Sequence, residues 1–296
     1  MRKLLAILLT TGLLLCALCA CNKEKPREAD GSISFTYETF PKIAVTGATE
    51  AAGQIIAKAA LGSNDISGLI IRKPSVKAAY DALKDGECSM VIAFQPDSQT
   101  VQGLLNANTA FEMTEFSKDA LIFVTDSKNT ANNLTAENIK AIYSGKINNW
   151  KELGFEDREI FAFSATEGTT IKNIFDNTFN PDYSGYKQPL SIIMTANGEY
   201  TSPIDYDNRP GSLGYCFYSE LSTKSVEKNG KIKVLNINKI AASNETILNG
   251  SYIWTADVAV SIKHSEAVDS KTRLLYNWIL SKQGKTVLKN SGLVIS

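Results

Sequence analysis

A single histidine, His264, stands in a chain of 296 residues, and that scarcity removes most hydrolytic chemistry. No Ser/His/Asp or Cys/His set can be assembled around it, because Ser265 and Glu266 continue it into a polar turn. Cysteine is nearly as scarce. Of five cysteines, Cys16, Cys19 and Cys21 fall at the extreme N-terminus, leaving Cys88 and Cys216, each within an apolar run. Two separate buried thiols are expected there rather than a disulfide. With no Cys/His cluster, no metal and no cofactor are expected. An excess of charge of one sign is also missing: 31 Lys+Arg face 31 Asp+Glu. That balance gives no electrostatic footprint for a nucleic-acid partner. Short internal repeats, heptads and collagen-like triplets are absent as well.

The one long apolar run lies at the start. Arg2 and Lys3 precede Leu4–Leu18, a stretch too short and too early for a spanning helix, so residues 1–20 read as a signal peptide. It ends in Leu18-Cys19-Ala20-Cys21, which resembles a bacterial lipobox. Cleavage before Cys21 with a lipid on its sulfur would anchor the chain outside the cytoplasm to the membrane, stably once more than one acyl chain is present. A secreted protein cut after a small residue is the alternative. Removing Arg2 and Lys3 leaves 29 basic against 31 acidic groups. The following segment, within residues 21–35, is polar and aperiodic and reads as a flexible tether.

Beyond the tether, short apolar strands alternate with helical periods, which argues an α/β domain. Lys42–Val45 reads as a strand, Thr46-Gly47-Ala48-Thr49 as a turn, and Glu50–Leu61 as a helix stopped by Gly62. A small-residue turn feeding a helix N-terminus presents several N–H donors at the positive end of the dipole, which suits an oxyanion. The same four residues also suit a purely structural cap. Further strands are expected at Ser67–Arg72, Cys88–Phe94, Asp119–Thr125, Ile160–Phe163 and Val258–Ile262, with a helix over Ser75–Leu83.

Leu134–Trp150, LTAENIKAIYSGKINNW, carries the most specific string. Thr135 is a natural N-cap, Leu134 and Ile139 can form a hydrophobic staple, and Ser144-Gly145 ends a short amphipathic helix. The string resembles the signature of the phosphate-binding proteins of ABC importers. Tyr206-Asp207-Asn208 with Gly211–Tyr215, the stretch Ala242–Gly250, and the terminal Ser281–Val294 resemble other segments of that family. The resemblance covers about Ile43 to the C-terminus. It implies a type II periplasmic-binding-protein fold: two lobes, each a mixed sheet flanked by helices, joined by two hinge crossings. On that reading residues 36–120 with 250–296 form one lobe and 121–249 the other.

The resemblance also implies an anion site. It assigns Thr46, Gly47, Ala48 and Thr49 on one side, Gln95 at the end of the third strand, and Glu167, Gly168, Thr169 and Thr170 on the other. In the family the last turn runs R-x-[DE]-G-S-G-T. Here Glu167, Gly168 and Thr169 match, while Ala165 stands for the arginine, Thr170 for the second glycine and Ile171 for the last threonine. A carboxylate such as Glu167 can accept a hydrogen bond from monoprotonated phosphate and repels sulfate, which has no proton to give. Glu50 and Glu167 then lie near the anion with no cation named. The implied partners are inorganic phosphate or a similar oxyanion and a membrane permease, with the receptor a monomer and no chemistry performed. The departures leave a second reading: a receptor of the same fold taking another solute, or serving in sensing or surface interaction.

Overall fold

One strand organises the sheet, and it is longer than its apolar half announces. The computed structural model describes residues 35–107, 109–165, 170–180, 190–191, 210–223 and 232–296. The segments expected to be a signal peptide and a tether, with Cys21, lie outside these residues. The chain begins with three strand–helix units: β1 (Ile43–Thr46) and α1 (Glu50–Leu61), β2 (Ile70–Lys73) and α2 (Val76–Asp85), β3 (Met90–Phe94) and α3 (Ser98–Asn106). The long strand β4 (Phe111–Asp126) follows, then β5 (Asn133–Leu134), α4 (Ala136–Tyr143), β6 (Phe161–Ser164) and α5 (Thr170–Phe179). After β7 (Leu190–Ser191) come β8 (Ser212–Phe217), α6 (Tyr218–Thr223), β9 (Ile232–Val234), β10 (Asn236–Ile237) and α7 (Asn244–Leu248). The chain closes with β11 (Thr255–Lys263), α8 (Lys271–Leu280), α9 (Lys282–Asn290) and β12 (Val294–Ile295).

The main sheet has the order β2-β1-β3-β11-β4-β8-β6-β7, with β12 and β9 also paired to β4. β1, β2 and β3 are parallel, while β11 runs antiparallel to both β3 and β4. Up to Ala120, β4 pairs with β11. From Leu121 onward its partner is β8, in register with Phe217. Consecutive residues of one strand therefore serve two sets of neighbours. This is the mixed α/β, two-lobed architecture expected.

Local chemistry explains the element ends. Ser75 accepts from the Ala78 amide and caps α2, which Gly86 terminates at φ 79°. Thr135 caps α4 and shares a reciprocal capping box with Asn138, Thr135 Oγ1 accepting from the Asn138 amide at 3.2 Å. Leu134 and Ile139 are both fully buried. α1 lies close on β1 because Gly53 has no side chain: a Cβ there would meet Val45 Cγ1 at 2.6 Å. Some expected bounds move. β2 starts at Ile70, β3 at Met90 and β6 at Phe161, while β4 starts eight residues before Asp119 and α3 was not anticipated.

Beside the second half of β4 sits an aromatic core. Phe175 stacks on Tyr215 at 4.3 Å and 5°, and Phe123 lies against Tyr143, Phe179, Tyr215 and Trp254. Each ring of this group that is fully buried, Phe123, Tyr143, Phe175 and Tyr215, contributes about 2 kcal/mol by area alone. Cys88 and Cys216 are both buried, and burial pushes the Cys88 thiol up to about 11. His264 is exposed and places Nδ1 3.1 Å from Glu112, which also takes a bidentate pair from Arg273. Among the described residues no helix is long and apolar enough to cross a membrane, and no group of metal-ligating side chains forms.

Candidate functional site

The β1–α1 turn begins on a strand whose four residues are all buried. Thr46 and Thr49, both sequence candidates, turn their hydroxyls inward. Thr49 Oγ1 donates to the Ile92 carbonyl of β3 at 2.6 Å and accepts from the Thr46 amide at 3.1 Å. The two hydroxyls lie 3.2 Å apart. They tie β1 to β3, so Thr49 makes no side-chain cap to α1. What the turn can offer a ligand is backbone: half-buried Gly47, buried Ala48, and the first amides of α1, which no helical carbonyl can reach. That site sits at the carboxyl end of parallel strands, where open α/β sheets bind ligands.

A cation stands beside it that sequence reasoning did not name. Arg72, on the neighbouring strand β2, carries its guanidinium over the turn: a Cβ on Gly47 would lie 2.8 Å from Arg72 Nη2. Its Nη1 approaches Glu50 Oε2 at 3.5 Å, and Glu50 Oε1 accepts from Gln54 Nε2 at 3.2 Å. The signal was present as an arginine ending an apolar strand (Ile70-Ile71-Arg72), but only the β1–β2 pairing gives it meaning. Glu50 is therefore drawn back along α1 and paired, rather than left facing the turn alone. Gln95 is exposed, and its amide donates to Glu115 of β4.

The β6–α5 turn is built differently. Glu167, Gly168 and Thr169 lie outside the described residues, and Thr170 opens α5 half-buried. Ala165, at the position of the family's arginine, is buried at 3% exposure. Its amide donates to Tyr215 Oη at 3.0 Å, and Ser164 Oγ lies 3.1 Å from the same oxygen. Ile171 is buried in the core. Lys172 is buried too, paired with Asp176 one helical turn on. The site residues thus fall into the group Thr46–Thr49 with Arg72, Gln95 turned toward Glu115, and Thr170 at the head of α5.

Against this geometry, a model of the PBP superfamily domain matches residues 39–283. The chain belongs to the PBP superfamily. It is similar to the phosphate-binding protein PstS of Borreliella burgdorferi, with 25% identity over 186 residues, 61% of this chain and 64% of that protein. Against PstS of Bacillus subtilis it is 28% identical over 127 residues, 41% of this chain and 37% of that one. The matched stretch covers less than two thirds of either relative. An ABC-type phosphate transport receptor from Vibrio cholerae superposes with a TM-score of 0.62 at 17% identity, over 86% of this chain and 100% of that one. That likeness shows the type II periplasmic-binding-protein fold.

The string at 134–150 that carries the resemblance proves to be architectural. Trp150 is fully buried and its Nε1 donates to the Gly211 carbonyl at 3.1 Å. Gly211 in turn donates to Asp126 Oδ2 at 2.9 Å and accepts from the Phe161 amide. It has φ 88°, and a Cβ would meet the Glu159 carbonyl at 2.3 Å, so only glycine fits. Tyr143 donates to the Phe163 carbonyl at 2.9 Å. Two segments that carry the resemblance, the N-W pair and the first glycine of G-S-L-G-Y, thereby lock β6 and β8 side by side.

Proposed function

We propose that this chain is an extracytoplasmic solute receptor of an ABC importer that binds inorganic phosphate between its lobes and delivers it to a membrane permease. The observation that carries the reading is the β1–α1 turn: small residues, helix-start amides that no helical carbonyl reaches and an arginine at one point, in a fold that phosphate receptors share. Lobe limits at 36–120 with 250–296 and at 121–249 belong to the proposal, and the change of β4's partner at Ala120/Leu121 supports them. Attachment through lipid on Cys21 is likewise part of the proposal. Amides fixed by the fold bind an oxyanion without reorganising, and the ligand closes the lobes by touching both of them only in the closed form. Glu167 is assigned, from the resemblance, the role of accepting the proton of monoprotonated phosphate. No bond is made or broken, so the reading is of a binding protein and not of an enzyme.

One observation favours a second reading. Ala165 and Ile171 are packed into the interior instead of facing an anion, which fits a receptor of this fold that takes a different solute or acts in sensing. Calorimetric titration of the full chain in detergent with phosphate, arsenate and sulfate separates the two. Binding of phosphate and arsenate with sulfate ignored supports the phosphate receptor. Silence with all three supports the second reading.

A further inference from the structure

Arg72 is a strong donor with a poor partner. A guanidinium offers five N–H groups in a planar fork suited to an oxyanion. Arg72 spends one of them on a contact of 3.5 Å to Glu50, longer than the 2.7–2.9 Å of a good charge-assisted bond. Its other donors meet no partner among the described residues, and the side chain is 30% exposed. Lys73, the next residue, faces the other side of the sheet by strand alternation and is committed to Glu87. Gly47 matters here through what it lacks, since any side chain would push the guanidinium off the turn. Meanwhile Gln54 already holds the far oxygen of Glu50, so that carboxylate has somewhere to stay if Arg72 lets go.

We propose that Arg72 is the cation that anchors the oxyanion in this receptor, and that Glu50 is a resident counter-ion displaced from it when the oxyanion enters. This rests on the oxyanion reading above and adds the residue that sets affinity. It moves the charged donor from the β6–α5 turn, where Ala165 has closed the position, to the strand beside β1. Glu50 then acts as an internal competitor: it screens the guanidinium in the empty receptor and weakens every anion that must replace it.

The test is calorimetric titration of the full chain in detergent with inorganic phosphate, for wild type, Arg72→Gln, Arg72→Lys, Glu50→Gln and Gly47→Ala. Losing a charge-assisted anchor should weaken phosphate binding about thirtyfold in Arg72→Gln. Arg72→Lys keeps the charge without the fork and should fall between. Gly47→Ala should lose about fivefold, since only the end of a flexible side chain has to move. Glu50→Gln should bind about threefold tighter, the size of a half-exposed ion pair released. Opposite signs for Arg72→Gln and Glu50→Gln are the decisive result, because a salt bridge that merely braced the fold would weaken binding when either partner is removed. The melting temperatures without phosphate should stay together. Phosphate binding by wild type with Arg72→Gln within twofold of it, or with Glu50→Gln also weakened, overturns this inference and leaves the receptor reading standing. Wild type giving no heat with phosphate, arsenate or sulfate overturns both.

Discussion

At the β1–α1 turn the hydroxyls face inward and a charge from the neighbouring strand faces the backbone. At the β6–α5 turn the described residues show the reverse: the charged position is a buried alanine, and a tyrosine hydroxyl from β8 takes the Ala165 amide. The same motif type, strand into helix start, has been specialised in two ways. One turn keeps its first amides open and borrows a cation. The other closes part of its backbone into a packed aromatic wall, with Tyr215 stacked on Phe175. A sequence comparison position by position registers the lost arginine and names no cation in its place. The sheet order shows that a guanidinium is available one strand over.

The largest expected effect tests whether the second turn is truly closed. Ala165→Arg places a cation at a 3% exposed position beside Tyr215 and Ser164. It should destabilise the fold by about 4 kcal/mol, as an uncompensated buried charge does, and should not tighten phosphate binding. Denaturant unfolding and calorimetry check both. A stable variant with higher affinity would break the comparison, since it would mean that the second turn still has room for its arginine.

Next in size is a pH effect from the strand that joins the two turns. Asp119 of β4 is fully buried, accepting from Ser219 Oγ and from the amides of Ser219 and Ala120. Burial raises its carboxyl to about 7, Glu220 adds to this, and the bonds from Ser219 and Ala120 pull the other way. In the unfolded chain it ionises near 3.8. Between those values the folded protein holds a proton that the unfolded chain has lost, so stability falls as pH rises from about 4 to about 7 and is level on either side. Thermal melts across that range should show the decline, and Asp119→Asn should flatten it. An unchanged slope in Asp119→Asn would place the titrating group elsewhere.

Local signals made much of the fold legible. Glu50–Leu61 could be bounded from a small-residue turn and Gly62, and Thr135 could be named as a cap, because these depend on neighbours three or four residues away. The first half of β4, Phe111–Lys118, could not, since it mixes Glu112, Thr114 and Glu115 with its apolar residues. Those polar groups are satisfied by Arg273, Tyr276 and Gln95 from distant parts of the chain. The site follows the same division. Thr46–Thr49 was legible as a turn, but not that Thr49 bonds to a carbonyl 43 residues away, nor that Arg72 lies over Gly47. Chemistry assigned from a string is safest for backbone and least safe for side chains whose partners come from other strands.

That distinction can be sharpened at the first turn. Thr49→Val keeps the shape while leaving the Ile92 carbonyl and the Thr46 amide without their partner. A cost of about 2 kcal/mol is expected for these buried groups, read as a lower denaturation midpoint, with phosphate affinity changed less than twofold in the folded protein. Affinity lost without stability would return the Thr49 hydroxyl to the ligand.

The smallest effect is expected from Tyr215→Phe. The stack on Phe175 needs no hydroxyl and persists, so the core loses only one polar atom. The Ala165 amide and Ser164 hydroxyl lose their common partner, for about 1 kcal/mol. Because this change reopens an amide on the second turn without adding charge, its effect on phosphate affinity measures how much that turn can contribute through backbone alone. It should be far smaller than that of Arg72→Gln. If the two variants change affinity equally, the anion is held from both sides alike, and the division of labour between the turns fails.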